Sequence, residues 1–161
     1  MSKSRVLKSI VFAALAVSSV AVAATTGTVT LGGTVAANLL IVSTPTGTAS
    51  ALDLTPGQKL VLVSVLTMST NNEQGFRLTA TSGNLTKAGG TSIAFKVTSV
   101  DATTTAPVAG DFTVASGTSY TVDSGAQAGS DDQDLYILYT PAALQDPGNY
   151  SGSIGLTVTD L

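Results

Sequence analysis

Asp146-Pro147-Gly148-Asn149-Tyr150-Ser151-Gly152-Ser153-Ile154-Gly155-Leu156-Thr157-Val158-Thr159-Asp160-Leu161 is the stretch whose reading decides the fold. Pro147-Gly148 makes a turn, because proline presets φ near about −65° and glycine accepts a positive φ without steric cost. After it the side chains alternate with a period of two. Tyr150, Gly152, Ile154, Leu156 and Val158 fall on one face; Ser151, Ser153, Gly155, Thr157 and Thr159 fall on the other. That pattern predicts a half-buried strand with one wet face. A strand needs neighbours, so the rest of the chain must supply sheets.

Leu144, Pro147-Gly148 and Tyr150 stand in an L-x-x-P-G-x-Y arrangement. In immunoglobulin-like sandwiches a tyrosine so placed packs at a corner, and its hydroxyl bonds back to backbone a few residues upstream. Tyr150 is therefore read either as such a structural corner or as a half-buried residue of an ordinary hairpin.

Working upstream, Leu135-Tyr136-Ile137-Leu138-Tyr139 reads as a strand ended by Pro141, and the acidic run Asp123 to Asp134 reads as a flexible loop. Phe112 to Val114 and Tyr120 to Val122 suggest a short exposed hairpin. Ser92 to Val100 and Phe76 to Thr81 alternate as strands. Gln58 to Met68, the most apolar segment after residue 23, reads as a central strand because it is β-branched and follows the turn Thr55-Pro56-Gly57. Leu52-Asp53-Leu54 reads as a short strand. Asn38 to Val42 is apolar on both faces and reads as a strand buried between layers. Threonine is abundant and alternates with Val, Ile and Leu, suiting the wet face of strands. No amphipathic helix competes. The predicted fold is all-β: an immunoglobulin-like antiparallel β-sandwich of about eight strands.

The other end of the chain reads as an address. Lys3, Arg5 and Lys8 precede an apolar run from Ile10 to Val22, and Ala21-Val22-Ala23 has the form of a cleavage site. The run is shorter than the roughly 20 residues needed to span a bilayer. Residues 1–23 are accordingly predicted to be a cleaved secretory signal, and residues 24–161 a single β-sandwich domain. Export to the periplasm, then the cell surface or extracellular space, follows as an expectation. Loss of Lys3, Arg5 and Lys8 would take the net charge from −3 to −6. So acidic a chain has no electrostatic footprint for nucleic acid.

The chain has no histidine and no cysteine. Ser-His-Asp and Cys-His catalysis, and imidazole or thiolate metal sites, are thereby removed. The aspartates at 131, 132 and 134 lack EF-hand spacing and read as a solvated acidic loop. No catalytic residue, cofactor site or metal site is predicted, and the chain is read as a non-enzyme.

Thr26 to Val35 follows the predicted cleavage site directly. Val29, Leu31 and Val35 alternate so as to fill one face of a groove, with Gly33 where a side chain would be crowded. Two readings stand: a polymerisation strand donated to a neighbouring subunit, or an edge strand within its own domain.

Two stretches resemble the pilin-like subunits of bacterial chaperone–usher fimbriae and the related spore-coat-U-type proteins. Val65-Leu66-Thr67-Met68-Ser69-Thr70-Asn71-Asn72 followed by Gly75-Phe76-Arg77-Leu78-Thr79-Ala80-Thr81-Ser82 resembles their strand–Asn-rich loop–strand hairpin. Gly148-Asn149-Tyr150-Ser151-Gly152-Ser153-Ile154-Gly155-Leu156-Thr157-Val158 is similar to their terminal strand. The resemblance implies a fimbrial structural subunit lacking one strand. It also implies as partners a periplasmic chaperone, an outer-membrane usher, and other copies of itself or related subunits. Many members of that family carry a disulfide, which this chain cannot form. A secreted surface-polysaccharide-binding module is the alternative reading, and a small outer-membrane β-barrel the third.

Overall fold

The alternating segments form strands, and the computed structural model, which describes residues 28–161, arranges them in two antiparallel sheets. The predicted signal at 1–23, Ala24, and Thr26-Gly27 of the predicted donor strand lie outside the described residues. In chain order the strands are β1 Leu39–Pro45, β2 Lys59–Thr70, β3 Phe76–Thr81, β4 Asn84–Leu85, β5 Ile93–Asp101, β6 Ser119–Asp123, β7 Gly129–Tyr139 and β8 Gly155–Asp160. Short 3-10 turns occupy Gly47–Ser50 and Ala109–Asp111. One sheet runs β1-β2-β7-β5-β4 and the other β6-β3-β8. The chain divides into a unit ending at Thr34 and a unit from Val35 to Leu161. In the first, residues 28–34 carry no regular structure; the sheets make up the second.

Both sheets contribute to one core. Leu66 and Met68 of β2, Leu78 and Ala80 of β3, Phe95 and Val97 of β5, and Leu135 and Ile137 of β7 belong to a single buried cluster. The two layers are therefore held by apolar burial, with no disulfide to assist. The apolar run of β2 has a physical reason. The strand pairs with β7 along its length and with β1 from Ser64 to Thr70, and its register against β7 slips between Leu62 and Ser64. Val63 is the extra residue of this bulge and is buried.

Several expectations are corrected. Asn38 to Val42 is not buried between layers, because among the described residues β1 is an edge strand that pairs only with β2. Leu39 and Ile41 pack on the core while Leu40 and Val42 are 52% and 46% exposed. Leu52-Asp53-Leu54 forms no strand; its leucines pack on the core, and the Asp53 carbonyl accepts the Tyr139 hydroxyl at 3.0 Å. The acidic run is not a loop throughout. β7 begins at Gly129, and Asp131 and Asp132 pair with Met68 and Thr67 of the long β2. Pairing with β2, helped by the Ala102 amide donating to the Asp132 carbonyl at 3.0 Å, outweighs the poor strand propensity of aspartate there. Phe112 to Val114 forms no hairpin with Tyr120 to Val122. Phe112 is buried outside any strand, and β6 pairs with β3. The last ladder starts at Gly155 rather than near Tyr150, because the chain first bridges Ser151 to Thr86 and only then pairs with β3.

Candidate functional site: a cleft between the first and last strands

The two sheets meet along two seams, and the seams differ. Where β6 lies beside β5, polar groups close the gap. The Tyr120 hydroxyl donates to the Ser99 carbonyl at 3.1 Å, and the Ser116 hydroxyl donates at 2.8 Å to the Gly83 carbonyl, which also accepts the Phe95 amide of β5. Where β1 lies beside β8, the arrangement is different. β1 pairs only with β2 and β8 only with β3, so each presents an outer edge that takes no second strand among the described residues.

One end of this second seam is tied. The Thr70 hydroxyl donates to the Asp160 carboxylate at 2.7 Å, and the Asn72 amide nitrogen donates to the Leu161 carbonyl at 2.9 Å. Towards the other end it opens into a cleft of about 260 Å³. Ser43 and Pro45 form one wall, Ile154 and Leu156 the other, and core side chains such as Phe95 and Ile137 form the floor. A second hollow of about 450 Å³ shares Ala49, Leu52, Leu85 and Gly152 with the first and extends past Tyr150. The chemistry inside is aliphatic and aromatic, with backbone edges on both sides. It suits an extended peptide that alternates apolar side chains and offers its own backbone for pairing.

Local bonds fix both walls. On the β1 side, the Thr46 and Thr48 hydroxyls each donate to the Leu62 carbonyl at 2.8 Å. The Asp53 carboxylate gathers Lys59 Nζ at 2.6 Å with the Thr55 hydroxyl and amide, and these donors hold its carboxyl far below the ordinary aspartate value. On the β8 side, Tyr150 is half-buried. Its hydroxyl donates to the Asp146 carbonyl at 3.1 Å and accepts from the Gln145 amide at 2.7 Å. Gln145 also donates to the Thr91 carbonyl, and the Asp146 carboxylate accepts the Thr91 amide. The turn before β8 is thus pinned to the turn before β5.

The polymerisation residues predicted from sequence are placed as follows. Val29, Leu31 and Val35 are 83%, 88% and 87% exposed, and a side chain at Gly33 would meet open space. Residues 28–38 form no strand. The structure brings none of the acidic residues at 131, 132 and 134 into the cleft. Asp131 pairs opposite the buried Met68. Burial first, then Asp101 and Asp132, push its carboxyl above the ordinary value, against a lowering bond from Gln133. Among the described residues no group of three or more His, Cys, Asp or Glu is arranged to hold a metal ion. The cleft-lining residues Ser43, Pro45, Ala49 and Leu52 are not foreseen by sequence reasoning. Leu52 and Leu54 carry the only signal, an apolar pair outside any good strand context.

Comparison of this chain with protein-family models, with curated proteins and with solved structures returned no match.

Proposed function

We propose that this chain is the structural subunit of an exported fibre, and that the β1–β8 cleft of one copy receives residues 26–35 of another. The observation that carries this reading is the pairing of two features in one molecule. An apolar cleft is flanked by two unpaired strand edges, and an exposed segment bears apolar side chains at 29, 31 and 35. Unpaired edges are liabilities that proteins cover, blunt or use. Burying Val29, Leu31 and Val35 would contribute about 1.5–3 kcal/mol each. Each ladder hydrogen bond would add about 0.5–1.5 kcal/mol net. Both gains are counted before the cost of ordering the tail. The apolar shared interior and the unpaired edges favour a packed sandwich over a closed barrel, and nothing in the cleft favours a sugar ligand. The signal-like segment supports assembly outside the cytoplasm.

The test is a chain lacking residues 24–33. Donation predicts that polymers disappear while the remaining domain stays folded and takes up an added Thr26–Val35 peptide. If the full chain is a stable monomer, and the shortened chain unfolds without rescue by the peptide, the segment belongs to its own domain and the proposal is wrong.

A further inference from the structure

We infer that one large-for-small contact sets the register of the donated strand: Leu31 of the incoming copy packs beside Ser43 of the receiving copy, which places Gly33 beside Pro45. The inference rests on the strand-donation reading and names the contact that makes it specific. The direction of entry comes first. The Thr70–Asp160 and Asn72–Leu161 bonds tie one end of the seam, and the receiving copy's own residues 36–38 continue β1 past that end. The body of the incoming copy therefore stands at the open end. In that copy the Asn71 side chain bonds the Ala36 carbonyl and the Asn38 amide, so the chain is fixed to its own domain one residue after Val35. Val35 stays near the open end, and lower-numbered residues run inward. β1 starts at the tied end, where Leu39 pairs with Thr70, and reaches the open end at Pro45. Residue numbers rise towards the open end in both, so the incoming strand runs parallel to β1.

Side-chain size then selects the register. The inward face of β1 reads Leu39, Ile41, Ser43 and Pro45; the first two pack on the core, and the last two line the cleft. The seam thus opens where a branched aliphatic gives way to serine. The Ser43 and Ser64 hydroxyls share a hydrogen bond at 2.8 Å, Ser64 is buried, and its hydroxyl also donates to the Val65 carbonyl at 3.3 Å. Both hydroxyls have partners within the wall, so an apolar side chain covers Ser43 without stranding a polar group. The incoming segment carries Val29, Leu31, Gly33 and Val35 on one face. With Leu31 beside Ser43, a parallel strand sets Gly33 beside Pro45 and Val29 beside Ile41. The largest side chain of the segment meets the smallest of the wall, and its glycine meets the proline ring. Sliding inward by two residues crowds Leu31 against Ile41 and leaves a void between Gly33 and Ser43. Sliding outward by two crowds Leu31 against Pro45 and sets Gly33 beside Gly47. A slip of one residue turns every apolar side chain away from the cleft. Voids and overlaps both cost packing energy, so one register stands out.

The experiment is a double-mutant cycle on the full chain: Leu31→Ala, Ser43→Ile and the two combined, with polymer affinity read by light scattering across a dilution series. Leu31→Ala should weaken assembly at least about tenfold, the scale of burying one leucine. Ser43→Ile should weaken it by about the same factor, because the larger side chain takes the space that Leu31 fills. The combined variant should lie within about threefold of the weaker single one, since one substitution vacates what the other occupies. Val35→Ala combined with Ser43→Ile, which this register keeps apart, should show no such offset, and its factors should multiply. Where Ser43→Ile lowers the urea midpoint of the diluted subunit, Ser43→Val makes the same comparison with less added volume. Multiplied factors for Leu31→Ala with the Ser43 variant overturn the register and leave donation standing, because Leu31→Ala alone still weakens assembly. If the unmodified chain forms no polymer, or Leu31→Ala assembles as well as it does, the donation reading itself fails and this register falls with it.

Discussion

The Thr70 hydroxyl donates to the Asp160 carboxylate at 2.7 Å, joining β2 to the last strand across a sequence separation of 90 residues. Thr70 is buried, and the same hydroxyl accepts the Asn72 amide at 3.0 Å. This bond ties the closed end of the β1–β8 seam. Asp160→Ala leaves a buried donor without its partner and should destabilise the domain by about 1–3 kcal/mol. Urea denaturation followed by circular dichroism checks it; an unmoved midpoint would mean that water replaces the carboxylate at no cost.

Gly75 shows how tightly the β2–β3 connection is built. Its φ is +81°, and a Cβ there would collide with the Gly125 carbonyl oxygen. The left-handed backbone alone costs an alanine about 1–2 kcal/mol. Its carbonyl also accepts the amide of Leu161, so a shift would disturb the chain's end. Gly75→Ala should therefore cost more than the backbone term and lower the thermal midpoint visibly. Gly33→Ala, where the added atom meets open space, is the matched control and should leave the midpoint unchanged.

The sequence places Tyr150 at a corner or in a hairpin, and its hydroxyl makes two bonds there. Because the ring is half-buried, Tyr150→Ala should cost less than the about 3–5 kcal/mol typical of a fully buried aromatic. Tyr150→Phe isolates the hydroxyl and should cost about 1–2 kcal/mol through loss of the Asp146 and Gln145 bonds. A Phe variant as stable as the parent would show that the turn is held by Gln145 and Asp146 on Thr91 alone.

Much of the sheet framework was legible because it is written locally. Phe76 to Thr81, Ile93 to Val100 and Leu135 to Tyr139 alternate or are β-branched, and each is a strand. What was illegible depends on partners far away in sequence. Nothing local in Gly129 to Asp134 announces a strand; it is one because β2 is long enough to pair with it. Leu52 and Leu54 look like strand residues, yet the Asp53 carboxylate recruits Thr55 and Lys59 into a local turn, and the leucines reach the core without a ladder. The cleft is the extreme case. That β1 and β8 each lack a second neighbour among the described residues is a property of the topology, not of any local stretch.

Acid should affect this domain through opposing groups. Asp53, Asp101 and Asp123 have lowered carboxyl pKa values, caused chiefly by Lys59, Thr103 and Arg77 respectively. Their stabilisation is present above the ordinary value of about 4 and is lost as pH falls through their folded values. Asp131 is raised, so the sign reverses: its folded state favours the proton, and its contribution is lost as pH rises through the folded value. Asp131→Asn keeps an acceptor for Gln133 and removes the charge. It should raise the thermal midpoint at pH 7 and leave it unchanged at pH 3. A lower midpoint at pH 7 would show the charge to be stabilising.

The period of two in the 26–35 segment gives the most direct check on strand donation. If this segment enters a cleft as a strand, Val29, Leu31 and Val35 point inward and Thr30 and Thr34 point outward. Leu31→Asp would place an unpaired carboxylate against the cleft's apolar floor and forgo the burial of a leucine, about 1.5–3 kcal/mol before the charge is counted. Polymer affinity should fall by at least about 100-fold. Thr30→Asp adds the same charge one residue away and should leave assembly nearly unchanged. Because Leu31 is 88% exposed, neither change should move the stability of an isolated subunit. Size-exclusion chromatography with light scattering reads assembly, and urea denaturation of a subunit diluted to monomer reads stability. Equal effects of the two substitutions on assembly would mean that the segment does not dock as a strand, because only a strand separates neighbouring residues onto opposite faces.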